Sequence, residues 1–167
     1  MTQHAYPASA MVGDYLRAAA GFVPCAALLA TLPVSIPGVA ILGGLTAIFG
    51  AFGVRTALRH GTRVDVTETE LHASGPRAAT IVWAELDRMR LAYYSTRRDR
   101  RQGWMQLDLA TPQARVLLDS RIDGFDDLVR RAAQAAAERG LELNESTLTN
   151  LQAIGVRLPG LAAGGSR

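Results

Sequence analysis

The chain has 167 residues, of which 18 are basic and 15 acidic, so its formal net charge is only +3. A charge this small does not indicate a nucleic-acid partner unless the basic residues cluster, and a single cysteine, Cys25, excludes an intrachain disulfide. The length suits one ordinary domain, or a membrane segment joined to a small domain.

The first predicted elements lie in an apolar run, residues 18–54, which contains no Asp, Glu, Arg or His. As one helix these 37 residues would extend about 56 Å, almost twice the thickness of a hydrocarbon core of about 30 Å. Pro33 and Pro37 interrupt the run, because proline lacks a backbone donor and disfavours helical geometry in the residue before it. The sequence therefore predicts a transmembrane hairpin at 11–60, with helices at about 11–32 and 37–58, a turn at the two prolines, and an N-terminal segment at 1–10.

Small residues at four-residue spacing predict that the two helices pack closely, since they let backbones approach where lipid supplies no hydrophobic drive. Gly43, Ala47 and Ala51 form one such series. Four arginines flank the apolar run and predict anchors at the membrane interface: Arg17, Arg55, Arg59 and Arg63. The turn carries no basic residue, so the positive-inside rule predicts a multi-pass protein with both termini cytoplasmic. A cleaved signal peptide is the alternative for the first helix, disfavoured because a second apolar segment follows at once.

Beyond the run, most of six or so short segments alternate apolar and polar residues, and one, Thr80 to Trp83, is a compact apolar run. Turn residues separate these segments, which predicts a meandering antiparallel sheet or partial barrel. The segment "DGFDDLVRRAAQAAAERG" then predicts a helix with Asp123 as N-cap and Gly140 as the left-handed stop. Apolar residues share one stripe of this helix, from Phe125 to Ala136. A short helix at Glu145 to Ile154 and a loose tail complete the chain.

The segments "RVDVTETELHAS" and "TIVWAELDRMRL", followed by "WMQLDL", "RVLL" and the helix from "DGFDDLVRRA", resemble the bacterial pleckstrin-homology-like (PH-like) domains that follow a pair of transmembrane helices. The resemblance implies an α+β membrane protein with a cytoplasmic PH-like domain at 62–140, in which a C-terminal helix caps a partial barrel. It implies binding and assembly rather than catalysis. Residues 141–167 form a short helix and tail outside the pattern.

A cluster of arginines between two predicted strands is the most conspicuous polar feature: Arg97, Arg98, Arg100 and Arg101, with Trp104 beside them. Each arginine near an anionic lipid surface contributes about 1 kcal/mol, so the loop suits lipid headgroups. An acidic face of a neighbouring membrane protein and a merely solvated loop are the other two interpretations. Tyr93, Tyr94 and Trp104 form either a stacking surface or part of the core and its rim.

The sequence contains no pattern typical of an enzyme. His4, His60 and His72 are scattered without metal-ligand spacing, and no nucleophile or nucleotide-binding motif occurs, so no catalytic residue, cofactor or small-molecule substrate is predicted. We expect a non-enzymatic binding protein of the bacterial inner membrane that contacts lipids and other integral membrane proteins as an accessory or assembly subunit. The alternative is a lipid-headgroup sensor or membrane-surface adaptor that uses the Arg97–Arg101 loop. Nucleic acid is not expected as a partner.

Overall fold

The computed structural model describes residues 2–76, 78–95 and 103–156. Its elements in chain order are β1 Thr2–Ala5, α1 Ala8–Thr31, α2 Ile36–His60, β2 Arg63–Val66, β3 Glu70–Ser74, β4 Ala79–Val82, a 3₁₀ turn Trp83–Glu85, β5 Arg88–Tyr94, β6 Trp104–Ala110, β7 Arg115–Asp119, α3 Phe125–Glu138 and α4 Glu145–Ala153. The α+β class predicted from the sequence is confirmed. The chain divides into two compact units, residues 6–61 and the remainder, which includes β1.

The first unit is a helical hairpin made of α1 and α2. Leu32 closes α1 in an extended conformation (φ −115°, ψ 144°), as the residue before Pro33 should, and Pro33 lies in the connection. The expectation that Ile36 is also extended was wrong, because Ile36 begins α2 and Pro37 lies in its first turn. Proline is tolerated there because the N–H groups of the first turn have no partner within the helix.

Three glycines place the backbones of α1 and α2 close together. A Cβ added at Gly21 would collide with the ring of Phe49, one at Gly50 would lie 3.3 Å from Phe22, and one at Gly53 would lie 3.5 Å from Ala18. The series predicted for this contact was misplaced: a Cβ at Gly43 would meet nothing within 4 Å. Four-residue spacing alone does not show which face of a helix meets its neighbour.

The second unit contains two antiparallel sheets, sheet A in the order β1-β2-β3-β4 and sheet B in the order β5-β6-β7. Burial alternates most clearly along β2, where Val64 and Val66 are buried, and along β3, where Leu71 and Ala73 are buried. Within the described ranges, backbone hydrogen bonds do not join the two sheets into one ladder.

Strand β1 precedes the helical hairpin in the chain and pairs with β2, which follows it. Thr2 pairs with Val66 and Ala5 with Arg63, so the residues just before α1 are hydrogen-bonded to those just after α2. The prediction for residues 1–10 contained no strand. A strand of four residues carries too little periodicity to be recognised, and it forms here because β2 offers a free edge.

Helix α3 begins one residue later than predicted, at a left-handed glycine. Gly124 (φ 67°), not Asp123, is the N-cap, and no side chain caps the helix. Asp123 instead donates its backbone N–H to the Ala5 carbonyl (3.0 Å), and its own carbonyl accepts from Nδ1 of His4 (2.7 Å). A Cβ at Gly124 would lie 2.5 Å from that imidazole, so both the φ angle and the space require glycine.

The predicted stripe of α3 is confirmed as the face that closes the core of the second unit. Phe125, Leu128, Val129, Ala132 and Ala136 are all buried. The second half of the stripe consists of alanines, and their small side chains let the helix backbone lie near β5 and the 3₁₀ turn. Gly140 has the left-handed conformation predicted for the helix stop (φ 63°).

Candidate functional site: the helical hairpin and the aromatic end of the β5–β6 hairpin

The β5–β6 hairpin ends in an exposed aromatic pair. Tyr94 lies opposite Trp104 in the strand register, and their rings stack with centroids 5.8 Å apart and planes at 22°. The Tyr93 hydroxyl accepts a hydrogen bond from the Gly103 N–H (3.1 Å). Because Tyr93, Tyr94 and Trp104 are each about 40% exposed, they form a surface at the rim of the sheet rather than part of the core.

The arginine cluster belongs to the connection that leaves this aromatic pair. Arg97, Arg98, Arg100 and Arg101 lie outside the described residues, so their role stays a prediction. The strands on either side are described: β5 ends at Tyr94 and β6 begins at Trp104, and the rings of these two residues stack. Tyrosine and tryptophan favour membrane–water interfaces because one end of each side chain is apolar and the other polar.

A buried carboxylate on β6, that of Asp108, links the three strands of sheet B. Asp108 accepts two hydrogen bonds from Arg115 on β7, from Nε at 2.8 Å and Nη2 at 2.9 Å. Arg88 on β5 lies 3.3 Å from the same carboxylate. The hydrogen bond to Asp108, and then its negative charge, raise the pKa of Arg115 above its ordinary value. Asp108 therefore ties the β5–β6 hairpin to β7 through charge-assisted contacts with an arginine on each side.

The predicted interfacial anchors divide into two kinds. Arg59 on α2 and Arg17 on α1 both bind Asp14, each at 3.1 Å, and the Asp14 side chain is only 10% exposed. One residue along each helix, the Tyr15 hydroxyl lies 3.3 Å from Nδ1 of His60. These contacts fasten the open end of the helical hairpin. Arg59 is therefore also an interhelical contact, and the sequence had indicated only its role as an anchor.

The other two predicted anchors carry their charge on the surface. Arg55 is exposed on α2, and Arg63 is exposed as the first residue of β2. Asp14 is the residue that distinguishes the two kinds, because it binds Arg17 and Arg59. Its pairing with Arg59 depends on contact between residues 45 positions apart, and no spacing rule within one helix indicates such a contact.

Most of the apolar surface of the helical hairpin is open. Within the most apolar 18-residue window of each helix, 11% of α1 and none of α2 is buried, and both helices are long and apolar enough to cross a membrane. Large side chains on the outside include Leu16, Val23, Ile41 and Ile48, each at least half exposed. Gly43 and Gly44 add a flat strip on α2 where a side chain would meet no neighbour.

A second concave site in the second unit was not predicted. A cleft of about 230 Å³ is lined by His4, Thr67, Glu68, Asp127 and Arg131, among others. The carbonyl of Asp123 can only accept, so Nδ1 of His4 carries the hydrogen of this bond. Arg131 is engaged by the Glu68 carbonyl (2.6 Å) and by the Trp83 ring (5.0 Å). In the described part of the chain, no three His, Cys, Asp or Glu side chains are grouped to hold a metal ion.

Comparison with known proteins does not assign the chain to a family. No protein-family model, no curated protein and no solved structure matches it. The similarity to PH-like domains therefore remains a prediction from the sequence segments that carry it.

Proposed function

We propose that the helical hairpin crosses a membrane twice and that the protein acts by binding, as an accessory or assembly subunit of a larger membrane complex. The observation that supports this most strongly is the exposure of both apolar helices on the sides that do not face each other. In a soluble protein such helices would bury one apolar stripe against a core and present polar residues to water. Exposing so much apolar surface to water is unfavourable, and contact with lipid or with helices of a partner would remove that surface from water.

The pairing of β1 with β2 supports a single orientation for the two chain termini. If α1 and α2 cross the membrane, strands before the first helix and after the second can share a sheet only on one side. Arg55 and Arg63 beside the apolar run then favour the cytoplasmic side of the bacterial inner membrane. Protease applied to the periplasmic face of sealed cells should leave residues 62–167 intact, and cleavage there would contradict this topology.

The second unit is proposed to be a PH-like domain that holds the cytoplasmic face of the partner. Sheets of four and three antiparallel strands, followed by α3, are compatible with that architecture. Within the membrane, the open strip at Gly43 supports contact with a helix of another protein, because small residues let two backbones approach within van der Waals distance.

Replacing Gly43 by leucine tests the accessory-subunit proposal. The added side chain meets nothing inside the chain, so the helical hairpin should stay intact while a partner helix can no longer approach. In mild detergent, the unaltered full-length chain should migrate with a larger complex, and Gly43→Leu should migrate alone. A wild-type chain that elutes only as a free monomer would contradict the proposal.

A lipid-surface sensor is the second candidate function, and the exposed Tyr94–Trp104 pair beside the arginine cluster favours it. Trp104 is 38% exposed whereas Trp83 is 3% exposed, so a quencher in the lipid should reach mainly Trp104. In vesicles that contain brominated anionic lipid, we expect tryptophan fluorescence to be quenched in a salt-sensitive manner. Quenching should disappear when Arg97, Arg98, Arg100 and Arg101 become glutamine; equal quenching in neutral brominated lipid would argue against headgroup recognition.

A further inference from the structure

The outer edge of β5 is covered by two side chains of α4 rather than by a strand. The Leu91 N–H donates to the Thr147 hydroxyl (3.2 Å), and the Leu91 carbonyl accepts from the Asn150 amide (2.9 Å). β5 is the edge strand of sheet B, and Thr147 is fully buried. Thr147 and Asn150 thus provide the donor and acceptor that a neighbouring strand would otherwise supply.

The same edge contains further backbone groups that point away from the sheet. Residues along an antiparallel strand alternate between facing one neighbour and facing the other. Because Leu91 faces outward, Met89 and Tyr93 face outward as well, while Arg90 and Ala92 bond to β6. α4 has nine residues and little helical stability of its own, so it covers the edge only as long as its docking contacts hold.

We propose that the β5 edge is a surface for self-association and that α4 keeps it closed, with a second copy of this chain as the occupant. An antiparallel pairing of two β5 strands centred on Leu91 is self-complementary. It places Leu91 opposite Leu91, Arg90 opposite Ala92 and Arg88 opposite Tyr94 of the second copy, so that no two like charges meet. Such a two-fold contact closes on itself and yields a dimer rather than a fibre. This inference is independent of the proposed function.

The double variant Thr147→Val with Asn150→Leu should open this edge in the full-length chain. Both replacements keep approximately the shape of the side chain and remove the groups that bond to Leu91. In mild detergent, sedimentation should show a monomer that becomes a concentration-dependent dimer, with the dimer dissociation constant lowered at least about tenfold, as the loss of two hydrogen bonds implies. Thr149→Val is the matched control, because the Thr149 hydroxyl is exposed and bonds only to the Glu145 carbonyl of its own helix.

Cross-linking tests the proposed register. With Cys25 replaced by serine, chains carrying Arg90→Cys and chains carrying Ala92→Cys should form a disulfide when mixed in the double-variant background. In this register Arg90 and Ala92 would face each other without exchanging backbone hydrogen bonds. The Cα atoms of such a pair are about 4.5 Å apart, within the range of a disulfide. Chains that carry Arg90→Cys alone should not cross-link. A folded double variant that stays monomeric, or a dimer without this cross-link, would overturn the proposal.

If the double variant does not fold, Asn144→Ala decides the question. Asn144 caps α4 by accepting from the Thr147 N–H (2.8 Å) and does not contact β5 through this bond. Loss of a cap raises the open fraction of a helix about fivefold, so the dimer population should rise correspondingly. A folded Asn144→Ala chain with no rise in dimer population at high concentration would overturn the proposal.

Discussion

Replacing Gly21 by leucine is expected to destabilise the helical hairpin by about 1–3 kcal/mol, because the new side chain has no room against its neighbour helix. A Cβ at this position already collides with the Phe49 ring, at the level where Phe22 also packs near Gly50. The backbones of α1 and α2 would have to separate, and contacts along both helices would weaken together. Thermal unfolding of the full-length chain in mild detergent, followed by circular dichroism, measures the change.

Gly43→Leu is the control for this experiment. Leucine has a higher helix propensity than glycine at both positions, so a difference between the two variants reports the interhelical contact and not the helix itself. In chains purified free of any partner, Gly43→Leu should be at least as stable as the unaltered chain, since nothing lies within 4 Å of its Cβ. Equal destabilisation by the two variants would show that α1 and α2 do not pack at Gly21.

Replacing Asp14 by asparagine should cost about 2 kcal/mol of stability in the same measurement. The Asp14 side chain is 10% exposed and binds both Arg17 and Arg59. In the variant, the two guanidinium groups lose the negative charge of this carboxylate at a partly buried position. Removing one partner of a fully buried pair costs about 3–5 kcal/mol. We expect less here because the Arg59 side chain is 25% exposed and the Arg17 side chain 73% exposed.

Asp127→Asn provides the matched control for Asp14. Asp127 forms an ion pair with Arg130 at the same three-residue spacing as Asp14 with Arg17, but both side chains are more than half exposed. Its loss should change stability by less than about 1 kcal/mol. The double variant Asp14→Asn with Arg59→Gln should be more stable than the sum of its single variants predicts, and strict additivity would show that Asp14 and Arg59 do not interact.

Much of the fold is predictable because it follows from local patterns. Most of the six strands from β2 to β7 follow an alternation of apolar and polar residues, β4 follows a short apolar run, and α3 follows a stripe with a 3.6-residue period. The ends of α1 and α2 were less accurate. α1 begins at Ala8 rather than near residue 11 and α2 continues to His60, because helical hydrogen bonding continues past the apolar residues.

The candidate site was predictable only as a set of residue types. A cluster of arginines beside aromatic residues indicates an anionic contact whatever the fold, but the stacking of Tyr94 on Trp104 requires the strand register that brings them opposite each other. The His4 cleft had no signal in the sequence. Its residues come from β1, the β2–β3 turn and α3, and folding alone brings them together.

The sequence by itself determined that two long apolar helices precede an α+β unit, because hydrophobic periodicity, prolines and glycines act over a few neighbouring residues. Only the tertiary structure decided which faces those elements use. Gly21 rather than Gly43 meets the other helix, Gly124 rather than Asp123 begins α3, and Thr147 and Asn150 close the edge of β5. Each of these outcomes depends on contacts between residues far apart in the chain, whose geometry no local pattern contains.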